Sequence, residues 1–69
     1  MKQYKPKDII AFLKRMGWIE DHITGSHVIM YQSTSKKRTT VPLHKKDIPV
    51  GTLMAILKQT GLTKEDLEK

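Results

Sequence analysis

Apolar residues recur at helical spacing in two separate parts of the chain. The first set stands at positions i, i+3, i+4 and i+7, which is one face of a helix. This set is Ile9, Phe12, Leu13 and Met16. Pro6 suits the first turn because its missing N–H needs no partner there, and Gly17 supplies a left-handed end. The pattern therefore predicts a first helix from Pro6 to Met16.

The second helical stripe lies near the C-terminus. Its apolar members are Val50, Leu53, Met54, Ile56 and Leu57. Asp47 and Pro49 mark the approach to this helix, and Gly51 weakens its first turn, so the expected start is Thr52.

Residues beyond the second stripe predict how the helix stops. Gly61 suits a Schellman-type ending in which Leu62 touches Leu57. Thr63 and Asp66 then have the spacing of a capping box, which predicts one short final turn of helix.

Between the two stripes, β-favouring residues form three short segments separated by turn residues. The predicted strands are residues 18–22, 27–32 and 38–43. Gly25 is central to the first turn, and the polar stretch 33–37 forms the second. Pro42 suits an edge strand or a strand end. Because the connections are short, the three strands should form an antiparallel meander.

The order α-β-β-β-α predicts a single domain over residues 1–69, of the α+β class. Two helices would cover one face of a three-stranded antiparallel sheet and leave the other face open. Alternation places His27, Ile29 and Tyr31 on one face of the second strand, and Val28 and Met30 on the other. Both sets are partly apolar, so the pattern leaves open which face the helices cover.

Charge is unevenly distributed along the chain. The formal net charge is +6, and no acidic residue occurs between His22 and Lys46. That window holds all three histidines and five cations, namely Lys36, Lys37, Arg38, Lys45 and Lys46. Such clustering is typical of a protein that binds a polyanion. The alternative is a solvated basic face without a ligand.

Composition narrows the class of protein. The chain has no cysteine, so it can form neither a disulfide nor a thiolate metal site. Its histidines do not have the spacing of a compact zinc site, and we expect no cofactor. No apolar run reaches the roughly 20 residues of a membrane span, and the N-terminal stretch lacks the apolar part of a signal peptide. We expect a cytoplasmic protein.

Four short motifs, in this order along the chain, resemble the HicA family of mRNA interferase toxins. They are Gly17–Trp18, Gly25–Ser26–His27, Pro42 with His44, and Gly51–Thr52–Leu53. Each is weak alone, but together they extend over nearly the whole chain. One position departs from the pattern, since family members often carry a second histidine where this chain has Val28.

The resemblance implies a fold similar to the double-stranded RNA-binding domain. It also implies a toxin that cleaves mRNA, inhibits translation and is neutralised by a HicB-type antitoxin. The oligomeric state is open between a homodimer formed through an uncovered sheet edge and a toxin–antitoxin hetero-oligomer. His27 would be the catalytic residue. The residues expected to contact RNA are Gly25, Ser26, Lys36, Lys37, Arg38, His44, Lys45 and Lys46.

The chemistry of RNA cleavage explains why a histidine suits this role. The 2′-hydroxyl must lose a proton, the leaving oxygen must gain one, and cations must stabilise the phosphorane charge. Imidazole exchanges protons near neutral pH, so His27 fits, and His44, His22 or water could be the second group. A lone strand histidine is more often packed or solvated. A non-catalytic RNA-binding module of the same fold is therefore the alternative function.

Overall fold

The computed structural model describes residues 3–69, and its helices and strands follow the predicted order. The elements are α1 (Pro6–Arg15), β1 (Ile19–Thr24), β2 (His27–Gln32), β3 (Lys37–Pro42), α2 (Val50–Thr60) and a short α3 (Lys64–Glu68). The second strand has the predicted bounds. The first begins one residue later and ends two residues later than predicted, so that only Gly25 and Ser26 remain in the turn. The third begins and ends one residue earlier.

The three strands form one antiparallel sheet in the order β1-β2-β3. In the pairing of β2 with β3, His27 lies opposite Pro42 and Val28 lies opposite Val41. A bulge between Glu20 and His22 interrupts the pairing of β1 with β2. Because β3 is an edge strand, Pro42 can end it without removing an N–H group from an interior ladder.

The helices cover the face of the sheet that carries Val28 and Met30. Both side chains are buried, as are Thr39 and Val41 opposite them. They pack with apolar residues from the helices, chiefly Ile9, Phe12, Leu13, Leu53, Ile56 and Leu57. The structure thus decides the question that alternation left open, and His27, Ile29 and Tyr31 belong to the uncovered face.

The end of α1 explains the Gly17–Trp18 motif. Gly17 adopts a left-handed φ of +94°, which lets the Trp18 N–H donate 2.9 Å to the carbonyl of Leu13. The Trp18 side chain is only 1% exposed and belongs to the core. It therefore packs beneath the helices and offers no surface on which an RNA base could stack.

The expected start of α2 at Thr52 is wrong, because the helix begins at Val50 and includes Gly51. Its first turn is closed by a 2.9 Å hydrogen bond from the Leu53 N–H to the carbonyl of Pro49. The other end is as predicted. Gly61 is left-handed, and the Leu62 N–H donates to the carbonyl of Leu57.

Candidate functional site

An open groove of about 670 Å³ lies where the end of β3 approaches α2. Its strand side carries His27, Thr40 and Pro42, followed by His44 from the segment after β3. The helix side is one face of α2. That face consists of Gly51, Thr52, Ala55, Ile56 and Gln59.

A tight turn places His27 at the mouth of this groove. Gly25 and Ser26 connect Thr24 to His27, which are paired across β1 and β2. Gly25 has a φ of +55°, a conformation that favours glycine. Since nothing lies within 4 Å of where a Cβ would stand, the backbone at Gly25 is open to approach from outside. His27 itself is exposed.

Strand pairing continues one step past the end of β3 and positions His44. The Leu43 N–H donates 2.6 Å to the carbonyl of Ser26, in the same register that pairs His27 with Pro42. His44 follows directly after Leu43, two residues beyond the strand partner of His27. Both imidazoles line the same groove.

His44 also borders a second, smaller groove of about 430 Å³. Its other walls include Lys5, Lys7 and Lys45, and Lys5 is 3.1 Å from the Asp47 carboxylate. Lys7 lies far from the acid-free window in sequence, and only the fold brings it beside Lys45. The distribution of charge along the sequence therefore gives no sign that Lys7 is a neighbour of the site.

The residues expected to contact RNA divide into two groups. Gly25, Ser26, His44 and Lys45 lie at the end of the sheet where β2 begins, close to His27, and Lys46 follows directly. Lys36, Lys37 and Arg38 lie at the hairpin that joins β2 to β3. Because β2 has six residues and strands rise about 3.3 Å per residue, this hairpin is roughly 17 Å from His27.

The charge of Arg38 is partly balanced by a nearby carboxylate. Its guanidinium lies 4.6 Å from the centroid of the Tyr31 ring and 3.8 Å from the Asp21 carboxylate. The same carboxylate oxygen is 2.8 Å from Nδ1 of His22. His22 therefore belongs to a cluster with Asp21 and Arg38 and does not line the groove that contains the other two histidines.

The electrostatics of the groove favour an anion. The N-terminus of α2 has Pro49 as its N-cap, with no side-chain cap and no acidic residue in the first turn. The positive end of the helix dipole is therefore uncompensated where Gly51 and Thr52 line the groove. Within residues 3–69, no three His, Asp or Glu side chains come together as they would around a metal ion. No helix in that part of the chain has the length and apolarity to cross a bilayer.

A family model described as the HicA toxin of bacterial toxin-antitoxin systems matches residues 6–62. The chain belongs to the HicA toxin family. The match extends from the first residue of α1 to the second residue after the end of α2, and it includes every residue that lines the larger groove. A comparison with curated proteins finds no match.

Membership in the HicA family makes this chain the toxin of a toxin–antitoxin pair. Three of its four family-like motifs meet at the groove, through His27, through Pro42 and His44, and through Gly51 and Thr52. The fourth, Gly17–Trp18, ends α1 and fills the core. In this HicA-family chain the side chain of Val28 is 1% exposed and lies on the helix-covered face. The residue that differs from the family pattern therefore has its side chain in the core and not in the groove.

Proposed function

We propose that this HicA-family toxin is a ribonuclease that cleaves mRNA and so inhibits translation, with His27 as the catalytic residue. The observation that supports this proposal best is the meeting of three separate motifs at one groove. His27 is the exposed imidazole that begins β2 there, and the groove is open to solvent.

The proposed reaction uses the RNA's own 2′-hydroxyl as nucleophile. His27 either removes the proton of this hydroxyl or protonates the leaving 5′-oxygen, both of which need an imidazole within about 2.6–3.2 Å of the oxygen. The uncapped α2 N-terminus and the nearby Lys45 stabilise the charge that develops on the phosphoryl oxygens. The exposed backbone at Gly25 lets the RNA strand come close to the turn.

The partner we propose is a HicB-type antitoxin. Because the groove is shallow and open, a protein that covers His27 would exclude RNA directly. A basic surface of this kind also favours a partner that presents acidic side chains.

The experiment compares wild-type protein, His27→Ala and His22→Ala on end-labelled RNA. His22 is the matched control, since it is an exposed histidine on the same sheet but outside the groove. We expect wild type and His22→Ala to cleave at similar rates. His27→Ala should bind RNA with nearly unchanged affinity and cleave it at least about 100-fold more slowly.

Two results would contradict the proposal. Cleavage by His27→Ala at the wild-type rate would remove the catalytic assignment. Binding without cleavage by all three proteins would favour a non-catalytic RNA-binding module. Expression in cells provides a second readout, because wild type should arrest growth and His27→Ala should not.

A further inference from the structure

His27 and His44 face one groove, although they belong to separate segments of the sequence. His22 is engaged by Asp21 at 2.8 Å and is not among the residues of the groove. Of the three histidines in the described part of the chain, only these two line the same groove.

The relation between His27 and His44 is fixed by backbone hydrogen bonding. The bond from the Leu43 N–H to the Ser26 carbonyl holds the chain beside β2 after β3 has ended. His44 comes two residues after Pro42, which is the direct partner of His27, and all three residues line the groove. Because both imidazoles line this groove, one phosphodiester bound there could accept a hydrogen bond from each.

We propose that His44 is a second catalytic residue and divides the proton transfers with His27. This inference rests on the proposed ribonuclease function. One imidazole takes the proton of the 2′-hydroxyl as its oxygen forms a bond to phosphorus. The bond from phosphorus to the 5′-oxygen breaks, and that oxygen keeps the electron pair and takes a proton from the other imidazolium. The products are a 2′,3′-cyclic phosphate and a 5′-hydroxyl, and exchange with water restores both histidines.

The surroundings of His44 leave phosphate binding to other groups. Lys45 follows it in sequence, and Lys5 and Lys7 border the smaller groove beside it. The ammonium group of Lys45 can stabilise the charge on the reacting phosphate, and that of Lys7 can hold a neighbouring phosphate. An imidazole at position 44 offers what they cannot, which is transfer of a proton in either direction.

The test measures kcat and KM for wild type, His44→Ala and His44→Lys on a short RNA, with His22→Ala as the matched control. His44 is exposed, so these variants should fold, which circular dichroism can verify. We expect His44→Ala to lower kcat by about 10²–10⁴-fold with KM within a few-fold of wild type. An essential acid and an essential base together make the pH profile of kcat/KM bell-shaped. In His44→Ala this profile should lose either its rise or its fall. His44→Lys keeps a cation and should stay as slow as the alanine variant.

A substrate with sulfur in place of the bridging 5′-oxygen separates the two roles. Its leaving group departs as a thiolate and needs no proton. Cleavage should recover in whichever of His27→Ala and His44→Ala lacks the acid, and the other variant should stay slow.

The outcomes separate failure of this inference from failure of the proposed function. A His44→Ala variant that only raises KM, an active His44→Lys, or no recovery on the sulfur substrate in either alanine variant would show that His44 is a phosphate contact. In each of those cases His27→Ala is still inactive on ordinary RNA. If His27→Ala cleaves like wild type, the ribonuclease assignment itself fails.

Discussion

Thr39 in β3 donates a hydrogen bond of 2.7 Å from its Oγ1 to Oε1 of Gln59 in α2. Thr39 is 2% exposed and lies in the buried layer between the sheet and the helices. Gln59 lines the groove, so this bond connects the packing of the core to the helix that forms the groove wall.

Replacing Thr39 with Val keeps the shape of the side chain and removes the donor. We expect the free energy of unfolding to fall by about 1 kcal/mol, the usual net value of such a hydrogen bond. Urea denaturation would measure it. Thr40→Val is the matched control on the exposed face of the same strand and should change stability by less than about 0.5 kcal/mol. Equal effects of the two substitutions would show that the bond to Gln59 adds nothing.

Gly25 and Gly51 should respond in opposite ways to alanine. Neither has an atom within 4 Å of the added Cβ, so the backbone alone decides the outcome. Gly25→Ala places a side chain at a φ of +55° and should cost about 1 kcal/mol. Gly51→Ala improves helix propensity in α2 and should gain about 0.5–1 kcal/mol. Thermal unfolding of both variants tests this, and a shift of the same sign in both would refute the conformational explanation.

Acid should loosen α3 through the capping box that begins it. The Asp66 N–H donates to Thr63 Oγ1, and the Thr63 N–H donates to Asp66 Oδ2. The backbone bond from Thr63 holds the pKa of Asp66 below its ordinary 3.8. Since the folded state has the lower pKa, the stabilisation is complete above the ordinary pKa and is lost as pH falls through the folded value.

Amide hydrogen exchange of α3 between about pH 5 and pH 2 measures this effect. After correction for intrinsic exchange rates, protection around the buried Leu67 should fall in wild type as Asp66 is protonated. Asp66→Asn cannot titrate and should lack this step. Glu65→Gln, at the neighbouring exposed position, should keep it. A step that persists in Asp66→Asn would assign it to another carboxyl group.

The cations beside the groove should affect cleavage of short RNA, whereas the cations at the hairpin should affect binding of long RNA only. Lys45→Ala/Lys46→Ala removes charge beside the groove and should weaken cleavage of a trinucleotide. Lys36→Ala/Lys37→Ala acts roughly 17 Å away and should leave the trinucleotide unaffected but weaken binding of a long RNA. For each phosphate that a variant no longer neutralises, the slope of log affinity against log salt should become shallower by about 0.7. An equal reduction of trinucleotide cleavage in both double variants would contradict this division.

The sequence was sufficient to predict the architecture because its local signals agree with one another. Each local signal specifies a structure that is compatible with the packing of the core. Examples are the apolar stripe from Ile9 to Met16, the left-handed Gly17 and the polar hairpin. Gly51 shows where such reasoning fails, since its low helix propensity was overcome by the docking of α2 on β3. Propensity costs about 1 kcal/mol at most there, and burial of Leu53 and Ile56 outweighs it.

The candidate site was less predictable than the fold. His27 stood out through its motif, and His44 through the Pro42–His44 motif, but nothing in the sequence showed that these two histidines share a groove while His22 lies outside it. That difference depends on the Leu43–Ser26 hydrogen bond, which joins two segments that are well separated in the sequence. The acid-free window likewise grouped Arg38 with the other cations. Asp21 lies just outside that window in the sequence, and only the sheet brings its carboxylate close to Arg38.

The wall of the groove opposite the strands comes from α2, which follows both histidines in the chain. The two hairpins pair neighbouring segments, and such structures form within microseconds once the residues are available. A chain that has left the ribosome only as far as His44 would carry both imidazoles on a sheet with no helix across from them. The toxin should therefore be able to bind and cleave RNA only late in its own synthesis, once α2 has docked on β3.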